Sequence, residues 1–202
     1  AVLIMNLPKE PKPPKASEAS TLVHELGHDI NYEAILENPA IPYLLRDPTM
    51  LTEAFAMLME NQTQTAEWFE RLGVAPEKAA EAEKAVAMID YVDQLIFLRW
   101  SATIYCFERK IYADPDADIG GAWWECKARN QLQQRPEGWV NPDALAKYHI
   151  PIVEPLYYSN YAIGRVANVQ FADLFSKRVG GASAGGSFYG KRELGDWLMK
   201  DF

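Results

Sequence analysis

The chain alternates between long segments with helical periodicity and short segments rich in proline or glycine. Apolar residues that recur every three or four positions are typical of helices packed on one side. This pattern predicts helices over 18–37, 48–63, 76–113, 121–134 and 156–178, a short one over 143–149, and a last one beginning near residue 191. The fold class is therefore predicted to be mainly α, in a single domain over residues 1–202.

One segment has the composition of a β-strand instead. Residues 1–6 are rich in branched apolar side chains, and the four prolines within 8–15 exclude a helix directly after them. We therefore expect a short strand followed by a loop.

The longest predicted helix, 76–113, changes character along its length. Its first third is charged and rich in alanine, whereas residues 92–106 are apolar nearly all round. Such a stretch indicates burial on all sides. The alternative is that this helix belongs to an interaction module and binds a partner.

Composition and charge exclude several classes of function. The 202 residues carry a net charge of −8 without a visible basic patch, so nucleic acid is not an expected partner. No apolar run has the roughly 20 residues that a membrane-spanning helix needs. Cys106 and Cys126 are expected to be two buried, reduced thiols. The chain does not begin with methionine and is expected to be part of a longer, cytoplasmic polypeptide.

Two of the three histidines lie in one short pattern, His24-Glu25-Leu26-Gly27-His28. Histidines four positions apart project from the same side of a helix, where both imidazoles can bind one Zn²⁺. Glu25 follows the first histidine, so its carboxylate can reach a water molecule on the zinc ion. Zinc lowers the pKa of such a water to about 7, and Glu25 is the predicted general base that removes its proton. The pattern also arises by accident on a solvated helix face.

A catalytic zinc site requires a third protein ligand and one open position. Glu53 lies 25 residues after His28, on the polar side of the next predicted helix, together with Met57 and Glu60. We predict that this helix packs across the first and that Glu53 is the third ligand.

The residues around both segments resemble a known family. Residues 21–28, TLVHELGH, resemble the TLFHEFGH segment of the thimet oligopeptidase and oligopeptidase F family, and residues 53–61 resemble its third-ligand segment. The resemblance implies a helical zincin-like catalytic domain that hydrolyses short peptides. It also implies that the strand over 1–6 is the edge strand of the cleft, to which an extended peptide adds through main-chain hydrogen bonds, and the alternative is a core strand. The resemblance covers only the catalytic, C-terminal part of those longer enzymes. The other wall of the cleft would then come from the N-terminal part of the same polypeptide.

The same resemblance, with a more distant one to angiotensin-converting enzyme, implies further site residues. His149, Tyr158 and Tyr161 match residues that hydrogen-bond the oxyanion formed during peptide hydrolysis, and Tyr157 competes with Tyr158 for this role. The alternative for the tyrosines is ordinary aromatic packing. In angiotensin-converting enzyme an acidic residue four positions after the third ligand holds a zinc-binding histidine in place. This chain has Met57 at that position, so a different residue must hold the histidine.

Two functions other than catalysis remain open from the sequence. The first is a zinc-stabilised binding protein, or an inactive fragment, with the same fold and without turnover. The intact Glu25 speaks against it, because a purely structural zinc site needs no base and is usually closed by four protein ligands. The second is the helical interaction module that uses residues 76–113.

Overall fold

The computed structural model describes residues 15–37, 49–138, 155–178 and 186–201. Within these ranges the regular structure is entirely helical, which confirms the mainly α fold class. The predicted strand over 1–6 and the short helix over 143–149 lie outside the described residues. The described ranges contain seven α-helices, which are α1 (Ala16–Glu37), α2 (Thr49–Asn61), α3 (Ala66–Arg71), α4 (Pro76–Ala113), α5 (Ile119–Gln131), α6 (Tyr158–Arg178) and α7 (Arg192–Asp201).

Capping side chains explain where two of the helices begin. A short 3-10 turn, Gln62–Gln64, follows α2, and the Thr65 hydroxyl then accepts a hydrogen bond from the Trp68 amide to start α3. The Asp118 carboxylate does the same for α5 by accepting from the Gly121 amide at 3.0 Å. Helix α3 was not predicted, because six residues are too few to show helical periodicity.

Contacts along the chain divide it into two compact units. The first contains α1 to α3, α4 as far as Met88, α6 from Gly164 onwards, and α7. The second contains α4 from Ile89, α5, and α6 up to Ile163. Helices α4 and α6 therefore each contribute to both units. The predicted single catalytic domain stays a prediction.

Helix α2 forms the centre of the first unit. All seven residues from Thr52 to Leu58 are buried, so this helix has no solvated side over two turns. Phe55 and Leu58 pack with Ala172 and Phe175 of α6 and with Leu194 of α7. Burial of these apolar side chains stabilises the unit by roughly 1.5–3 kcal/mol for each large residue.

Helix α1 packs against α2 at a glycine. A Cβ atom added to Gly27 would lie 2.8 Å from the Ala56 Cα atom and 3.2 Å from the Met59 side chain. Only a residue without a side chain allows the two backbones to approach this closely. The side of α1 that meets α2 is thus the side of Gly27 and His24, whereas Leu26 and Ile30 are exposed.

A second glycine brings α6 against α2. A Cβ atom on Gly164 would lie 3.0 Å from the Met50 carbonyl oxygen and 3.4 Å from the Glu53 Cβ atom. One turn further along α6, the buried Asn168 side chain donates a hydrogen bond to the Ala54 carbonyl and accepts one from Asn61. Helix α6 therefore fixes the backbone of α2 beside Glu53.

The second unit has a core of Ile104, Phe107, Trp123 and Cys126, contributed by α4 and α5. Cys106 and Cys126 are joined there in a disulfide, with Cα atoms 5.9 Å apart. The expectation of two reduced thiols is therefore wrong. The sequence did not reveal the pairing because 20 residues separate the cysteines, and only the packing of α5 on α4 brings them together.

Within the second unit, α4 is less buried than its sequence predicts. Ser101, Thr103, Ile104 and Phe107 are buried, but the side chains of Val92, Leu95 and Ile96 are about half exposed. Tyr105, near the C-terminal end of this stretch, is also 46% exposed, so the prediction that 92–106 is buried on all sides is wrong. An all-round apolar sequence does not indicate which side meets a neighbour. None of the helices described is long and apolar enough to span a membrane.

The close approach of α1 and α2 can be tested with Gly27→Ala. Its Cβ would meet backbone rather than a movable side chain, so we expect a loss of about 1–3 kcal/mol in the free energy of unfolding. Urea denaturation followed by circular dichroism measures this change.

Gly195→Ala on α7 is the matched control, because nothing lies within 4 Å of its added Cβ. Alanine is the better helix former there, so this variant should gain up to about 1 kcal/mol. Equal stabilities for the two variants would contradict the close approach at Gly27.

Candidate metal centre

His24 and His28 lie one turn apart on α1, as their spacing predicts. Their ring centroids are 4.9 Å apart and the ring planes are nearly perpendicular, at 81°. Both side chains are about four-fifths buried against α2. The two imidazoles are thus neighbours on the side of α1 that faces the central helix.

Glu53 of α2 lies directly opposite the two histidines. Its Oε2 atom is 3.4 Å from His24 Nε2 and 3.8 Å from His28 Nε2, and the Glu53 side chain is 5% exposed. Ligands at about 2.0–2.1 Å from a tetrahedral zinc ion are about 3.3 Å from one another. One ligand atom from each residue lies within 4.8 Å of the others, so the three side chains fit a metal ion with little movement.

A second carboxylate contacts the other side of the His24 ring. Glu60 Oε2 lies 3.2 Å from His24 Nδ1, whereas Glu53 faces Nε2. Glu53 and Glu60 are seven residues apart, which is about two helical turns, so both project from the same side of α2. The sequence placed Glu60 on this side but assigned it no function. Its spacing from Glu53 was the available signal.

The two histidines differ in their affinity for protons. Burial lowers the pKa of His24, but the carboxylates of Glu53 and Glu60 raise it, and the net result is a pKa of about 9. Burial lowers the pKa of His28, and Glu53 offsets only part of that effect. Without a metal, His24 is therefore protonated at neutral pH, and the positive charge lies between two carboxylates.

Glu25 is the predicted general base. It follows His24 directly on α1, and its side chain is exposed rather than packed against α2. It is close enough to His28 to raise the pKa of that imidazole. The Glu25 carboxylate is thus open to solvent on the helix that carries both histidines.

The predicted oxyanion residues are only partly described. His149 lies outside the described residues. Tyr158 and Tyr161 belong to the second unit and share one side of α6, with ring centroids 5.3 Å apart. Both contact Phe97, and Tyr161 also packs against Tyr157. These contacts are those expected from aromatic packing, and the oxyanion role stays a prediction.

The chain matches no family model, no curated protein and no solved structure. Any function assigned to it therefore depends on the residues and the geometry described above. His24, His28 and Glu53 are the predicted zinc ligands, and these three side chains converge within the first unit.

The raised pKa of His24 predicts a pH-dependent affinity for metal. Imidazole binds a metal only when it is neutral, so each metal ion must displace the proton on His24. The apparent affinity for Zn²⁺ should then rise about tenfold per pH unit between pH 7 and 8.5, still below the pKa of about 9. Competition with a chromophoric chelator, corrected for the chelator's own protonation, measures this slope.

A flat profile over pH 7 to 8.5 would contradict this assignment, because a histidine with the ordinary pKa of 6.5 is already neutral there.

The stability of the metal-free protein offers an independent check of the raised pKa of His24. A raised pKa in the folded state adds stability that is complete below pH 6.5 and is lost as the pH rises towards about 9. Urea denaturation of the metal-free protein should show this loss, and His24→Gln should remove it.

Proposed function

We propose that this chain is the catalytic part of a zinc-dependent metallopeptidase that hydrolyses short peptides. The observation that supports this most strongly is the convergence of Glu53 with His24 and His28, because Glu53 comes from a different helix. An accidental HExxH pattern on a solvated helix would not be accompanied by a buried carboxylate opposite both imidazoles.

The proposed division of labour follows from the residue types. His24, His28 and Glu53 would hold the ion, which leaves a fourth position for water or substrate. When bound, zinc would lower the pKa of that water and polarise the scissile carbonyl. The Glu25 carboxylate would accept the proton from the attacking water and later donate it to the leaving nitrogen of the peptide. His149, Tyr158 and Tyr161 are the proposed hydrogen-bond donors to the oxyanion.

The choice of short peptides as substrates depends on the resemblance to oligopeptidases. In that family a deep cleft between two walls excludes folded proteins, and one wall comes from sequence N-terminal to the catalytic part. We therefore propose that an additional part of the same polypeptide contributes to substrate binding. A cytoplasmic location belongs to the same proposal. Neither nucleic acid nor a membrane is a proposed partner.

The metal content of the purified chain tests the site without an activity assay. We expect one zinc ion per chain in the wild type by elemental analysis. Glu53→Ala removes one of the three ligands. It should therefore weaken zinc binding by more than the roughly 10- to 100-fold that is typical when a residue hydrogen-bonded to a metal ligand is replaced. If zinc added at neutral pH does not bind to the wild-type chain, this chain does not assemble the site by itself.

Replacing Glu25 separates catalysis from metal binding. Glu25→Gln should retain zinc but lower the rate of cleavage of short fluorogenic peptides by at least about 100-fold, because the general base is lost. Glu33→Gln, which removes another exposed carboxylate of α1, is the matched control and should cleave normally. If zinc-loaded wild-type protein in its longest available form cleaves none of the peptides, the zinc-stabilised binding protein becomes the better hypothesis.

The exposed apolar residues of α4 favour a second candidate function, in which this helix binds a partner. Val92, Leu95 and Ile96 lie on one side of the helix in the second unit, and their side chains are about half exposed. Their spacing of three and four residues is typical of helix–helix contacts. A second copy of this chain is the partner that can be tested directly. Ile96→Glu should then abolish a self-association of the wild type that sedimentation detects. An unchanged wild-type sedimentation coefficient over a wide concentration range would exclude self-association.

A further inference from the structure

The side of α2 that faces α1, together with the 3-10 turn that follows α2, holds a row of paired polar groups. At one end, the Ser20 and Thr63 hydroxyls are hydrogen-bonded at 2.7 Å, and Thr63 also donates to the Glu60 carbonyl. One turn along α1 from Ser20 comes His24, whose Nδ1 atom meets Glu60. The next contact is the close approach at Gly27. Glu60 is therefore held by two contacts. Its backbone carbonyl accepts a hydrogen bond from Thr63, and its carboxylate contacts His24.

The two nitrogens of His24 contact different carboxylates. Nε2 is 3.4 Å from Glu53 Oε2, and Nδ1 is 3.2 Å from Glu60 Oε2. Glu53 is also 3.8 Å from His28, whereas the Glu60 carboxylate pairs with His24 and, among the residues that the structure describes, with no other side chain. Glu60 therefore lies outside the group of three that fits a metal, on the far side of one of its ligands.

We infer that Glu60 is a positioning residue, which accepts the Nδ1 proton of His24 and so keeps Nε2 directed towards Glu53 as the metal-binding nitrogen. A neutral imidazole carries one proton, and the tautomer is determined by whichever nitrogen has the better acceptor. A carboxylate at Nδ1 also makes the opposite nitrogen a stronger ligand. The inference rests on the proposed metal site. It adds Glu60 to that site as a residue that orients a ligand and does not itself bind the metal.

Two variants of Glu60 test this function through metal affinity. Glu60→Gln keeps an oxygen that accepts a hydrogen bond but removes the charge, and Glu60→Ala removes both. We expect the affinity for Zn²⁺ to fall about 10-fold to 100-fold, with the larger loss in Glu60→Ala. Glu33→Gln, one exposed carboxylate fewer on α1, should bind Zn²⁺ within about twofold of the wild type.

The His24 imidazole provides a second readout, which a merely structural function would not change. In zinc-loaded wild-type protein labelled with ¹⁵N at histidine, His24 should show a downfield Nδ1 proton that exchanges slowly with water. Glu60→Ala should lose this signal, and Glu33→Gln should keep it. Circular dichroism and urea denaturation establish that each variant is folded before its spectrum is interpreted.

The outcomes distinguish this inference from the proposed function. If wild-type protein binds no Zn²⁺, this chain does not assemble the proposed metal site by itself, and the Nδ1 signal of metal-free protein then decides whether Glu60 orients the ring. If wild-type protein binds Zn²⁺ and the Glu60 variants match Glu33→Gln in both affinity and Nδ1 signal, the positioning function is overturned while the metal site remains.

Discussion

The close approach of α1 and α2 at Gly27 is the constraint on which the candidate site depends. A ligand set contributed by two helices requires their axes to be near enough for side chains of ordinary length to meet. The contact between Gly27 and the Ala56 backbone provides this proximity within one turn of both histidines. The pattern HELGH thus contains the chemical groups and also the small residue that lets the second helix reach them.

Helix α2 is held on its other side by equally specific contacts. Gly164 admits the α6 backbone beside Glu53, and Asn168 hydrogen-bonds both a backbone carbonyl and a side chain of α2. A buried amide that satisfies two polar partners fixes register more strictly than apolar packing does. The Glu53 backbone is therefore fixed from two directions, and its carboxylate faces the histidines even though burial of a charge is unfavourable.

The sequence predicted the parts of this structure that depend on local spacing. The bounds of α4 agree with the prediction, and the four-residue spacing of His24 and His28 predicted their common side. The packing of α2 across α1 was also predicted, but other features that depend on which helices become neighbours were missed. The disulfide of Cys106 with Cys126 and the exposure of Val92 both follow from how α4 meets other helices. The contact of Glu60 with His24 likewise required knowing the register of α1 on α2.

The unequal burial of the two ligand-bearing helices has a consequence for how the site opens. Glu53 lies on a helix enclosed on all sides, whereas the outer side of α1, with Leu26 and Ile30, contacts solvent. Local opening of a protein starts where the fewest buried contacts must be broken. Partial undocking of α1 would thus separate both imidazoles from Glu53 while α2 and its core stay folded. The rate at which a metal ion enters or leaves would then be controlled by the motion of one peripheral helix and not by unfolding of the unit.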